Sequence, residues 1–113
     1  MLDDDTRYRI LKRLEDNPEV NQRELARELG ISLGKVNYCL KALIERGFIK
    51  VSRFRNSVNK KAYLYHLTPQ GMQDRTRMAI RFLQYKRAEY EALERELQIL
   101  EQEVRQRAEE ANR

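Results

Sequence analysis

Residues 21–50 read NQRELARELGISLGKVNYCLKALIERGFIK, and the glycine at position 30 divides what would otherwise be one long amphipathic run. Asn21 is a helix-capping residue type, and Glu24 stands three residues on, at the capping-box spacing. Leu25, Ala26 and Leu29 then recur on one helical face. Gly30 follows the last turn, where a left-handed residue is wanted and glycine takes it without strain. Ser32 caps a further helix running to about Arg46, with Val36, Cys39 or Leu40, Leu43 and Ile44 facing inward, and Gly47 stops it. Two short helices joined by a tight glycine-containing turn outline a helix-turn-helix. Ala26 is small where the second of the two helices must cross closely, and Leu25, Leu29, Ile31 and Val36 complete an apolar set between them.

The outer face of the second helix is unusual for a merely solvated surface. It carries Ser32, Gly34, Lys35, Asn37, Tyr38 and Lys41, and no acid occurs between Ser32 and Ala42. A helix that enters the major groove leads with its N-terminal residues. Ser32 and the free amides of the helix start suit a phosphate, and Gly34 gives clearance. Asn37 suits an adenine edge, while Lys35, Tyr38 and Lys41 can reach bases or phosphates.

Working outward, Asp3 to Asp5 place acids at the start of a first helix over about Asp5–Glu15, with Tyr8, Ile10, Leu11 and Leu14 at helical spacing and Asn17-Pro18 at its end. After Gly47 the period changes. Phe48–Arg55 and Lys61–Leu67 read as strands around a turn at Asn56–Asn59, although whether Tyr63 and Tyr65 or Leu64 and His66 face the core is open. Arg53, Arg55, Lys60 and Lys61 cluster near the tip of this hairpin, which makes it a basic wing. Thr68 caps and Pro69 opens a last helix that meets no further breaker, apart from Gly71 in its first turn, until about Glu109. Such a helix is roughly 60 Å long, more than a small domain can cover.

A seven-residue spacing runs along this helix through Leu83, Tyr90, Leu97, Val104 and Ala111, accompanied by Ala79, Lys86, Leu93, Leu100 and Arg107. This is the a/d pattern of a coiled coil, clean from Tyr90 to Val104. Leu83, Tyr90, Leu93, Leu97, Leu100 and Val104 are therefore the expected homodimer interface. A parallel pair would set Glu89 near Glu94 and Glu96 near Glu101, so an antiparallel or crossed arrangement is expected, centred near residue 95 with Arg87 close to the partner's Glu101.

The net charge of the 113 residues is +5, unevenly spread. From Ser32 to His66 there are eight Lys or Arg and one acid, which suits a polyanion, whereas 88–113 hold eight acids and four basic residues. One cysteine, Cys39, precludes an intrachain disulfide, and with no signal peptide the cytoplasm is the expected location. No apolar run has the roughly 20 residues of a membrane span. His66 and Cys39 cannot assemble a metal site, no nucleophile–base group stands out, and an enzyme is not expected; nor is a cofactor.

The string ELARELGISLGKVNYCLKALIERGFIK, followed by a basic hairpin and YHLTPQG, resembles the winged helix-turn-helix domain of MarR-type transcriptional regulators over roughly Asp5–Gly71. The short length and ISLGKVNY are most similar to the subgroup associated with exopolysaccharide genes. The resemblance implies a bacterial, sequence-specific DNA-binding homodimer, with Ser32, Gly34, Lys35, Asn37, Tyr38 and Lys41 on the recognition helix and Arg53, Arg55, Lys60 and Lys61 on the wing. Larger members carry further segments that build an effector pocket. None is matched here, and no small-molecule effector is expected. The expected architecture is mainly α with a small β-hairpin: a winged helix-turn-helix over 1–68 and a long dimerisation helix over 69–113. A rival reading is a winged-helix protein-interaction module that recruits a partner through its last helix; the basic block from Ser32 to Lys61 argues against it.

Overall fold

The computed structural model describes residues 2–54 and 62–113. The order of elements is α1 (Asp4–Asp16), α2 (Gln22–Leu29), α3 (Leu33–Glu45), β1 (Ile49–Phe54), β2 (Ala62–Leu67) and α4 (Pro69–Ala111). The chain divides into two compact units, one up to Ala79 and one from Ile80 onward. Helix and strand ends differ from the sequence expectation by one or two residues. The expected turn at 56–59 and the expected strand ends Arg55 and Lys61 lie outside the described residues.

Each helix start is made by the residue type that its position requires. The side chains of Asp3, Asn21 and Ser32 accept from the amides of Thr6, Glu24 and Lys35, each satisfying an otherwise orphaned N–H. At Asn21 the box closes between side chains, its Nδ2 donating to Glu24 Oε1 at 3.1 Å. The turn between α2 and α3 requires its glycine. Gly30 sits at φ 70°, ψ 33°, in the left-handed region, and both its amide and that of Ile31 donate to Ala26 O.

The core of the first unit lies where α1, α2 and α3 meet the hairpin. Ile10, Leu11, Leu14, Val20, Leu25, Val36, Cys39, Leu40 and Leu43 are at most 1% exposed, so Cys39 and Leu40, alternatives in the sequence reading, both face inward. Ile44 is half-buried at the margin. The strands pair antiparallel in the register Ile49–Leu67, Val51–Tyr65, Arg53–Tyr63. Tyr65 is the hairpin tyrosine that enters the core; Tyr63, two residues nearer the tip, is exposed, and their rings lie 6.3 Å apart. The Tyr65 amide donates to Pro18 O at 3.0 Å, which ties β2 to the loop between α1 and α2.

The start of α4 is fastened to this unit by both backbone and charge. Thr68 Oγ1 accepts from the Gly71 amide, capping the helix, and donates to Gly47 O, while the Thr68 amide donates to Phe48 O. Gly71 is needed for close approach: a Cβ built there would overlap the Phe48 carbonyl oxygen, so any side chain would push α4 off the segment that starts β1. About one and two turns beyond Gly71, Asp74 and Met78 are buried against α1. Arg7 Nε lies 2.9 Å from Asp74 Oδ2, and Arg7 Nη2 donates to Met78 Sδ at 3.1 Å. Arg75 pairs with Glu15 at 2.8 Å and lies over the Tyr8 ring.

In the second unit, α4 continues as a single helix to Ala111. Leu83, Tyr90, Leu93, Leu97, Leu100 and Val104 are between 49% and 67% exposed along it.

Candidate nucleic-acid interface

The outward side of α3 follows from its inward side. With Val36, Cys39, Leu40 and Leu43 filling the core, a helical period leaves Gly34, Tyr38 and Lys41 on the opposite face, and the structure exposes all three. Ser32 is exposed at the cap, where its hydroxyl is engaged by the Lys35 amide at 3.1 Å. Tyr38 is 54% exposed, a large aromatic with no place in the core.

Gly34 is informative because the fold makes no use of it. It lies in regular helix, its backbone does not enter the left-handed region, and a Cβ built there would meet nothing within 4 Å. A helical glycine costs about 1 kcal/mol relative to alanine. Gly30 and Gly71 return that cost through a turn and a close contact inside the protein. At Gly34 the unobstructed space lies outside it.

Lys35 and Asn37 flank this face and are half-buried. The Asp3 carboxyl is held below the usual carboxylate range, first by the hydrogen bonds from Thr6, with the charge of Lys35 adding to the effect. Lys35 thus stands on the side of α3 that faces the start of α1. Asn37 Nδ2 donates to Gln22 Oε1 at 3.3 Å, and Gln22 Nε2 donates to the Tyr65 hydroxyl at 3.2 Å. This chain of hydrogen bonds joins α3, α2 and β2 and holds the Asn37 side chain against Gln22. The sequence reading missed Gln22 and Tyr65 in this role, since no local pattern pairs residues so far apart. It also missed Leu33, which is 43% exposed in the first turn of α3 and has the chemistry to meet a thymine methyl group.

On the hairpin, Arg53 is exposed and its guanidinium lies 5.4 Å from the centre of the Tyr63 ring, a cation–π arrangement that holds the charge near the wing. Arg55, Lys60 and Lys61 lie outside the described residues. Burial pushes the Cys39 thiol pKa up, in keeping with a core residue. Among the described residues, no group of three or more His, Cys, Asp or Glu could hold a metal ion. None of the described helices is long and apolar enough to cross a membrane.

The helix pair with its Gly30 turn, together with the hairpin that follows, defines a winged helix-turn-helix. In agreement, residues 3–50 match the family described as winged helix-turn-helix DNA-binding. No curated protein matches the chain. Among solved structures, the PcaV transcriptional regulator of Streptomyces coelicolor, crystallised with its natural ligand, superposes with a TM-score of 0.61 at 21% identity, over 73% of this chain and 57% of that one. FabT of Streptococcus pneumoniae, in complex with DNA, has a TM-score of 0.54 at 23% identity, over 74% and 56%. A MarR/EmrR family transcriptional regulator from Acinetobacter sp. ADP1 has a TM-score of 0.61 at 22% identity, over 93% and 75%. The chain thus spans little more than half the length of PcaV and FabT. At these identities the likeness is one of fold.

Proposed function

We propose that the protein is a MarR-type transcriptional regulator that binds double-stranded DNA as a homodimer, inserting α3 into the major groove. The observation that carries this reading is Gly34: a helical glycine with no internal purpose, on the same helix as exposed Ser32, Tyr38 and Lys41. Backbone clearance at the start of a helix lets a phosphate or base edge come close. Leu33 and Asn37 then face base edges, Lys41 and Arg53 face phosphates, and Arg55, Lys60 and Lys61 extend the wing. Gln22 presets Asn37 for that task. The DNA in the FabT complex and the basic character of 32–66 support the reading. The dimer forms through the apolar face of α4. The ISLGKVNY string favours the exopolysaccharide-associated subgroup, and the cytoplasm is the corresponding location.

Gly34→Ala separates this function from fold stability. The substitution is expected to raise unfolding free energy by about 0.5–1 kcal/mol. It is also expected to weaken DNA binding by about tenfold, equivalent to about 1.4 kcal/mol. Urea unfolding and fluorescence anisotropy on a bound DNA fragment measure the two. A variant that is more stable and binds DNA equally well would remove Gly34 from the interface.

A further inference from the structure

Building on the proposed homodimer, we propose that two copies of α4 pair antiparallel in one register, centred between Glu91 and Ala92. Leu83 of each copy then meets Leu100 of the other, Tyr90 meets Leu93, and Lys86 meets Leu97. The occupant of the exposed apolar face is thus a second copy of this chain, and its orientation follows from the charges that border the seam.

The apolar stripe through Leu83, Tyr90, Leu93, Leu97, Leu100 and Val104 is about half exposed or more along its whole length. Several helical turns of leucine facing water are unusual unless another surface covers them. The bordering positions decide between partners. One border carries Glu89, Glu96 and Glu103; the other carries Arg87, Glu94 and Glu101. In a parallel pair, opposite borders face each other, so Glu89 meets the partner's Glu94, Glu96 meets the partner's Glu101, and Lys86 stacks on its own copy inside the seam. Each of these contacts is repulsive.

In an antiparallel pair, like borders face each other, and the register selects which charges meet. A centre near residue 95 sets Arg87 beside the partner's Glu101. It also stacks Glu94 on Glu94 and Glu96 on Glu96, and leaves Leu83 opposite Arg107. Shifting the partner by one heptad moves the centre to between Glu91 and Ala92. Arg87 then meets the partner's Glu94 on both sides of the pair, and only Glu89 against Glu96 remains repulsive. The inner layers become Leu83–Leu100 and Tyr90–Leu93. Lys86 lies against Leu97, where its stem packs and its ammonium reaches out to Glu89, 3.3 Å away within its own helix.

The test uses Leu83→Cys and Leu100→Cys, each produced alone and the two co-expressed, under mild oxidation. Both positions are exposed in the single chain and the native Cys39 is fully buried, so neither folding nor background linking interferes. The expected result is cross-linked dimer about tenfold more abundant in the co-expressed sample than in either alone, because only that pair comes within disulfide distance. Efficient self-linking of either single variant would overturn the orientation. Absence of linking in the co-expressed sample, with the protein still dimeric by sedimentation, would overturn the register. A monomer by sedimentation at the same concentration would instead overturn the homodimer reading on which the register rests.

Discussion

Asp74→Ala lowers the unfolding free energy by about 3 kcal/mol, the low end of what removing one partner from a buried ion pair costs. Asp74 is 3% exposed and its carboxylate lies 2.9 Å from Arg7 Nε. Neither atom meets a hydrogen-bond partner in good alignment, so the contact is ionic and off-axis. Truncating Asp74 leaves the Arg7 guanidinium, itself largely buried, with the more exposed Asp4 at 3.5 Å as its charged partner among the described residues and with the weak acceptor Met78 Sδ at 3.1 Å. Replacing both partners is a different experiment. Arg7→Met with Asp74→Leu removes the two desolvation costs together and lays apolar groups against Met78. The double variant is expected to recover most of the lost stability. Urea unfolding of the two single variants and the double one completes the cycle. A loss below about 1 kcal/mol for Asp74→Ala would place the pair among water-screened surface contacts and contradict the buried anchoring of α4 on α1.

Leu93→Glu combined with Leu97→Glu is expected to convert the proposed dimer to monomer and to lower affinity for a two-half-site DNA by about a hundredfold or more. Linking two binding units gives the second contact a high effective concentration, and that advantage amounts to about 10²–10⁴. The first unit should be unaffected, since both leucines lie in the second unit and are about half exposed. Its thermal unfolding therefore serves as the internal control. Sedimentation and DNA titration on the same samples report the two expected losses. A dimer that persists with both glutamates in place would locate the interface elsewhere.

Much of the fold is legible in residues 21–50, because each boundary there carries its own chemistry. Asn21 and Ser32 supply side-chain acceptors, Gly30 takes the left-handed turn, and the apolar residues recur at helical spacing. The hairpin is less so. Two-residue alternation does not say which face is buried, and Tyr65 enters the core through a backbone hydrogen bond to Pro18 that no pattern announces. Contacts between residues far apart in the chain are not legible at all. Arg7 and Asp74 are ordinary helix-surface types until α4 packs on α1, and Gly71 reads as a weak point in a helix until the Phe48 carbonyl is seen beneath it. The candidate site divides in the same way. The exposure of Gly34, Tyr38 and Lys41 follows from the periodicity of the core residues on the same helix. The half-burial of Asn37 depends on Gln22, fifteen residues earlier, and appears only in three dimensions.

The most direct test of the central claim is selection of bound fragments from a random pool of double-stranded DNA by the full chain, with the affinity of the winners followed against salt. A dimeric, sequence-specific regulator enriches a two-fold-symmetric motif whose half-sites are centred about one helical turn apart, and its affinity falls steeply as salt rises. Salt-sensitive binding with no enriched motif would contradict the account and leave a basic winged helix whose long C-terminal helix serves another partner.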